Sequence, residues 1–292
     1  MYVNDLPSVT KLCKVVLYAD DTALFYAADD LQMIQSSLLS DFLSVSKWMD
    51  ANRLILNVDK TKSMIFGTHQ RLRNRNLVLK SKDLEIYVVS EFKYLGVVLD
   101  QHLNWESHCN MIADSVSRRL GAIWRIRKFL DQKTCELMVK ALVFPLFTYC
   151  GVVWMTCSKR MQTKIQRLHS RAAKLVLGRG KFSSSSSALS HLNWHPINHQ
   201  WNIQLAVMTW KCVNNLAPPY LSTDFQERML SNVSRRFTRS AVSNKLMVPV
   251  SRLEKGRNTF LSRGTRLWNT LPSDIKSHKE ICIFKSLVKK CV

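Results

Sequence analysis

The sequence predicts an α+β chain, with its strands confined to the first hundred residues and a remainder that is mostly helical. Three observations carry this expectation. A β-branched and aromatic run from Lys14 to Ala28, broken only by "ADD", reads as a hairpin. Ile34, Leu38, Phe42, Val45 and Met49 recur at spacings of four, four, three and four, which places them on one helical face. After Trp105 the strand texture gives way to segments of helical period with heavy basic charge.

The elements follow in order. Residues 31–52 form the first helix, with Asp29 or Asp30 as its N-cap. "LILNVDKTKSMIFG" (54–67) alternates as a strand with a basic turn in it, and "LEIYVVSEFKYLGVVLD" (84–100) reads as another hairpin. A hairpin, a helix and two further strand segments make a layer with the helix on one sheet face. Residues 106–129 and 132–150 look helical. In 159–177, Ile165, Leu168, Ala172 and Leu175 share a face, while Lys159, Lys164, Arg167, Arg171 and Lys174 fall on the rest. "GRGKFSSSSSALS" (178–190) reads as a linker, because glycine supplies a helix stop and the serine run is of low complexity. A distinct tail follows, mostly helical, with turns at "LAPPYL" (216–221) and "TLPSDI" (270–275). No regular repeat is present.

At 292 residues and 46% hydrophobic, the chain can bury a sizeable core in two or more folding units, which excludes disordered and collagen-like classes. Its formal net charge of +22 is unevenly placed. Residues 1–100 hold 12 basic and 12 acidic side chains, and residues 101–292 hold 31 and 9. Such asymmetry is the footprint of a polyanion partner, with a membrane surface as the second option. The eight cysteines contain no C-x-x-C pair and read as reduced thiols of an intracellular protein. "MYVNDLPSVTKL" is neither a signal nor a transit peptide, and "ALVFPLFTYCGVVWM" (141–155) is too short and interrupted to span a bilayer. A soluble protein without a membrane partner is expected.

Asp20 and Asp21 are the sharpest candidate site. Adjacent like charges repel, and burial makes their ionisation costlier, so a pair at the tip of two apolar strands suggests a divalent counter-ion. The plain alternative is an ordinary turn, since Asp is a common turn residue. Carboxylates on a rigid hairpin are how phosphoryl-transfer enzymes hold two Mg²⁺ ions.

"YADD" between two hydrophobic strands resembles the catalytic hairpin of a reverse transcriptase, and further segments match the non-LTR (LINE-type) retrotransposon family in order. "LILNVDKTKSMIFG" is similar to its Leu-Asn-x-x-Lys-Thr-Lys segment, "FKYLGVVLD" (92–100) to its primer grip, and "LNWESHCNMIADSVSRRLGAIWRIRKFL" to the start of its thumb. "YVNDLPS" resembles the stretch upstream of the hairpin. "RLHSRAAKLVLG", "LNWHPINHQWNIQLAVMTWKCVNNLAPPYL" and "GTRLWNTLPSDIKSHKEICIFK" resemble the region after the thumb.

The resemblance implies a partial palm with the primer-grip hairpin over 1–103 and a thumb-like helical region over 104–178. A serine-rich linker over 179–190 and a basic C-terminal region over 191–292 complete the division. It makes Asp20 a metal ligand and Asp21 its weaker companion, with Mg²⁺ as cofactor. Tyr18 would line the site, Lys60 or Lys62 would serve as acid or clamp for the pyrophosphate, and Phe92, Lys93, Tyr94, Leu95 and Gly96 would grip the primer. Gly96 would allow the primer backbone to approach closely. A solvated turn is the plain reading of the lysines, and a simple strand pair that of the grip. The family's further metal-binding Asp, its fingers and its nucleotide-binding segment lie upstream of the hairpin. The expectation is therefore a C-terminal fragment, inactive alone, that works on an RNA template and DNA primer with the missing N-terminal part of the polymerase.

Arg118, Arg119, Arg125, Arg127 and Lys128 are candidates for phosphate contact, against the plain reading of a solvated face. Arg235, Arg236 and Arg239 in "RRFTRS" form the strongest basic cluster, expected as a loop that meets RNA or DNA. His191, His195 and His199 invite a zinc reading, but Pro196 interrupts the helix that would align them, and packing is preferred. The tryptophans at 194, 201, 210 and 268 read as core anchors before base-stacking platforms. The rival to a polymerase fragment is a non-catalytic nucleic-acid-binding remnant, and a relic without function is the third reading. The expected location is intracellular, in nucleus or cytoplasm, with retroelement RNA.

Overall fold

The computed structural model describes residues 3–73, 79–81, 84–229 and 245–291. It divides into two compact units, Met1–Leu103 and Asn104–Val292, and its class is α+β.

In the first unit, β1 (Lys14–Tyr18) and β2 (Asp21–Phe25) form an antiparallel hairpin, in register from Lys14 opposite Phe25 to Tyr18 opposite Asp21. Helix α1 (Leu31–Ala51) follows. Its N-cap is Asp30, whose carboxylate accepts from the Gln32 and Met33 N–H groups at 3.2 and 3.3 Å. Three further strands, β3 (Lys62–Ser63), β4 (Leu79–Ser81) and β5 (Leu84–Val88), make a sheet of order β3-β5-β4, with β3 parallel and β4 antiparallel to β5. Phe42, Leu38 and Leu39 of α1 meet Leu24, Leu56, Ile65, Leu79 and Ile86 in one small core. The hairpin and the sheet thus share the apolar stripe of a single helix. A short helix α2 (His69–Leu72) lies between β3 and β4, and strands β6 (Glu91–Tyr94) and β7 (Val97–Asp100) form a second hairpin.

Two expectations need correction. Within 54–67 only Lys62 and Ser63 join a ladder. The alternation is real, since Leu54, Leu56 and Val58 are half-buried while Ile55 is 96% exposed, but among the described residues no strand pairs with it there. Likewise the hairpin expected over 84–100 occupies only Glu91–Asp100, because β5 pairs with β3 and β4 instead.

One buried carboxylate was not foreseen. Asp41 lies on α1, and its carboxylate accepts from the N–H groups of Lys11, Leu12 and Cys13 at 3.2, 2.8 and 2.6 Å. Burial works to raise its pKa, but these hydrogen bonds outweigh it and hold the group below the usual carboxylate range. Burial and the Asp41 charge together push the Cys13 thiol up to about 12. Asp41 fastens the segment entering β1 onto α1, and so helps to position the hairpin.

The second unit is helical: α3 (Glu106–Ile126), α4 (Gln132–Leu142), α5 (Phe144–Thr148), α6 (Gly151–Trp154), α7 (Lys159–Val176), α8 (Ser185–His191), α9 (Ile197–Val213) and α10 (Pro219–Gln226), then α11 (Glu254–Arg257), α12 (Phe260–Thr270), α13 (Ser273–Ser277) and α14 (Ile281–Cys291). Helices α3 and α7 pack together, burying Ile112, Val116 and Leu120 from one and Ile165, Ala172 and Ala173 from the other. Helix α9 joins the unit's two parts, touching α5, α6 and α7 as well as α10, α12 and α14. Trp201 and Trp210 of α9 and Trp268 of α12 are almost fully buried, and Trp194 nearly so. The indole N–H groups of Trp194, Trp201 and Trp210 donate to Glu136, the Phe147 carbonyl and the His278 carbonyl at 3.1, 2.8 and 3.1 Å. The tryptophans are core anchors, as the sequence suggests.

The serine-rich stretch is not a bare linker. Gly178 (φ +65°) does stop α7, but Ser184 then caps α8, which buries Ala188 and Leu189 and packs on α7. Among the described residues no helix is long and apolar enough to cross a membrane.

Candidate functional site

The chain reverses between β1 and β2 through Ala19 and Asp20 alone. Ala19 takes φ +53°, a region that costs an L-residue roughly 1–2 kcal/mol. Asp20 therefore occupies the turn itself, while Asp21 is the first residue of β2, directly opposite Tyr18. Both carboxylates are exposed, and Tyr18 is 64% exposed. Alternation along the strands puts Val16, Tyr18, Asp21 and Phe25 on the outer face, and sends Val15, Leu17 and Leu24 to the other. The hairpin presents a carboxylate and a phenol together on an open apolar surface.

The second hairpin carries Tyr94 at the end of β6. Its hydroxyl is buried, with no hydrogen-bond partner among the described residues. Burial pushes its pKa up, and the Asp21 charge pushes it further, so the phenol lies within electrostatic reach of that carboxylate. The Tyr94 phenol thus feels the charge of Asp21, a residue that the sequence reading placed in a separate motif. Phe92 is half-buried, whereas Lys93 points outward. Leu95 and Gly96 form the two-residue turn, both at positive φ (+46° and +81°), the geometry of a primed hairpin turn. Gly96 therefore has a local reason to be glycine, besides the close approach expected for it.

The lysines are placed differently. Lys60 lies in a turn where its backbone N–H donates to Asn57 at 3.0 Å, and its side chain is exposed. Lys62 is in β3, its ammonium 4.7 Å above the Tyr87 ring. Neither forms an ion pair with Asp20 or Asp21 among the described residues. Nor does any group of three or more His, Cys, Asp or Glu gather to hold a metal ion among those residues. An exposed pair, one on a turn and one on a strand, does not by itself fit a site for two octahedral Mg²⁺ ions.

In the helical unit the basic candidates divide by role. Arg118 and Arg125 are exposed and make only long contacts with their own helix, to Ser115 and to the Gly121 carbonyl, both at 3.4 Å. Arg119 donates to the Leu142 carbonyl at the end of α4. Lys128 is exposed, its ammonium 4.8 Å from the centre of the Phe129 ring. Arg127 is a clamp: its guanidinium donates to the carbonyls of Leu175, Val176 and Leu130 at 3.0, 2.9 and 2.8 Å, closing the C-terminus of α7. Its donors face protein carbonyls where phosphates were expected. Arg235, Arg236 and Arg239 lie outside the described residues.

The histidines do not converge. His191 ends α8, the rings of His195 and His199 stack at 4.2 Å, and His199 contacts the Lys289 carbonyl at 3.1 Å. Sequence reasoning passed over two other residues. His169 is buried among Phe144, Phe147 and Trp194, and Trp124 is 70% exposed on α3.

The first unit thus offers an open hairpin tip with adjacent exposed carboxylates, and the second is rich in basic side chains. The chain is 25% identical over 192 residues to the Drosophila melanogaster protein named "Probable RNA-directed DNA polymerase from transposon BS". The match covers 63% of this chain and 20% of that protein, so the similarity reaches about a fifth of the relative's length. It supports a reverse-transcriptase-like origin. No protein-family model matches the chain, and no solved structure matches it significantly.

Proposed function

We propose that these residues form part of an RNA-directed DNA polymerase of a non-LTR (LINE-type) retrotransposon: the catalytic hairpin, the primer-grip hairpin and a basic helical region. Its substrates are an RNA template and a DNA primer, supplied by a nicked target, and its place is with retroelement RNA in nucleus or cytoplasm. The observation that carries this reading is the exposed hairpin tip that sets Asp20 and Asp21 side by side next to Tyr18, in a chain 25% identical over 192 residues to a transposon RNA-directed DNA polymerase; the Asp21 charge felt by the Tyr94 phenol agrees with a grip hairpin near that tip. Tyr18 and the outer hairpin face would support the primer end, and Phe92, Lys93, Leu95 and Gly96 would hold its backbone. The Mg²⁺ site is complete only with a further carboxylate, supplied by an upstream palm segment or a second copy.

The test is primer extension on an RNA template with Mg²⁺ and deoxynucleotides. The chain would be assayed alone, as Asp20→Asn, and supplemented with an upstream palm segment. Extension only on supplementation, lost in the variant, is the expected result. Extension by the chain alone would refute the shared site. The excess of 31 basic over 9 acidic residues in 101–292 favours a second reading, a non-catalytic nucleic-acid-binding remnant. That reading predicts binding indifferent to Asp20→Asn and no extension in any tube, whereas a relic without function would neither extend nor bind.

A further inference from the structure

The helical unit contains a groove of about 1090 Å³ along α7, walled by α3 and by the 179–187 segment. Six cations line it: Lys159, Arg167, Arg171, Lys174, Arg179 and Lys181. No Asp or Glu lines it, and none occurs anywhere in the sequence between Glu136 and Asp224. None of the six has a carboxylate partner among the described residues. Lys174 donates to the Lys181 carbonyl at 3.0 Å and Arg179 to the Ser187 hydroxyl at 3.0 Å, which ties the serine-rich segment to the groove wall. Arg167 and Arg171 are exposed and one helical turn apart, and Lys159 is two turns before Arg167. At 1.5 Å per residue, one turn repeats the charge about every 6 Å along the helix.

Charge alone fits any polyanion. Gln162 and Gln166 also line the groove, but their amides are held by the protein, Gln162 donating to the Met155 and Cys157 carbonyls at 3.1 Å and Gln166 accepting from the Ile197 N–H at 2.9 Å. One further feature chooses among polyanions. The Trp124 indole stands at the edge, 70% exposed, while Trp154, Trp194, Trp201, Trp210 and Trp268 are all buried. An exposed indole beside a basic channel offers a stacking face that only an unpaired base can reach.

We infer that this groove binds single-stranded nucleic acid, with the cations along the backbone and Trp124 stacked on a base. The groove is lined wholly by residues of unit Asn104–Val292, and the inference does not depend on polymerase activity. Stacking on an aromatic and tracking a backbone with cations are sequence-tolerant, so recognition would be of single-strandedness and not of a base order.

The test is fluorescence anisotropy of the full chain with a labelled single-stranded oligoribonucleotide of mixed sequence, across a salt series. A blunt RNA duplex and inorganic polyphosphate serve as competitors. Arg167→Ala/Arg171→Ala should weaken binding at least tenfold and reduce the salt slope by about 1.4, at roughly 0.7 per lost single-strand phosphate contact. Trp124→Ala should weaken the single strand severalfold without changing the slope. Lys285→Ala/Lys290→Ala, which removes equal charge from exposed positions on α14, should change neither binding of the single strand nor its slope. All substituted side chains are exposed, and unchanged thermal melts would confirm intact folding. Equal losses from the α14 and α7 variants would reduce the effect to net charge and overturn the site. Competition by duplex or polyphosphate as effective as by single strand, or indifference to Trp124→Ala, would overturn the single-strand assignment. Because the assay needs neither Asp20 nor Mg²⁺, its failure and that of the polymerase reading are distinguishable.

Discussion

His169 makes a quantitative test of the helical core. Its ring lies 5.5 to 5.8 Å, centroid to centroid, from Phe144, Phe147 and Trp194, and neither nitrogen has a hydrogen-bond partner among the described residues. Burial pushes its pKa down from 6.5 to about 4. Between those values the unfolded chain takes up a proton that the folded one does not, so stability falls as pH falls. At 1.36 kcal/mol per pH unit the loss approaches about 3 kcal/mol by pH 4, below which the folded protein protonates too and the loss stops growing. The contribution is fully present above pH 6.5. The perturbation is His169→Phe, which keeps a flat aromatic ring, somewhat larger than imidazole, and removes the titration. Urea unfolding followed by tryptophan fluorescence at pH 7.5, 6, 5 and 4.5 gives the free energy for each protein. Other groups titrate equally in both, so the difference isolates His169. The wild type should lose about 2 kcal/mol more than the variant between pH 7.5 and 5. The variant should also be more stable at pH 7.5 by about 1 kcal/mol, since two orphaned nitrogens are gone. Parallel pH profiles would refute the buried neutral imidazole.

Further outcomes follow from individual contacts. Asp41→Asn should cost unit Met1–Leu103 about 2–4 kcal/mol in denaturant titrations, because charge-assisted hydrogen bonds from three N–H groups weaken. Its lowered pKa adds stability that is present above the usual Asp value and lost as pH falls through the folded one. Arg127→Ala should lower the stability of the helical unit by about 2–3 kcal/mol, while Arg125→Ala should change it by less than about 0.5 kcal/mol. Gly96→Ala should cost about 1–2 kcal/mol, since φ +81° is strained for any residue with a Cβ, and melts of the first unit would register it.

Local signals made part of this molecule legible and tertiary ones hid the rest. The β1-β2 hairpin and α1 were readable because a period of two, a period of 3.6 and the Asp30 cap are all written within a few residues. Asp41 was not, because counting apolar positions on α1 passes over a carboxylate whose partners are three backbone N–H groups some thirty residues earlier. The alternation of 54–58 was seen correctly but overstated, since a strand needs a neighbour and among the described residues none pairs with it there. The serine run concealed α8, whose stability comes from burying Ala188 and Leu189 and not from propensity. Arg127 was grouped with the surface arginines because charge type is visible in sequence and a carbonyl partner is not. The Asp20–Asp21 pair itself stood out at once, whereas the buried Tyr94 phenol that feels the Asp21 charge did not, because burial is a tertiary property.

The central claim, that the two hairpins of the first unit hold a primer end, is best tested by photo-crosslinking. A DNA primer carrying a 3′-terminal photoreactive thymidine would be annealed to an RNA template, bound to the full chain and irradiated, and the modified peptides located by mass spectrometry. The account predicts attachment at Tyr18 or within residues 92–96. Attachment confined to residues 104–291 would contradict it and leave a protein that binds nucleic acid through its helical unit alone.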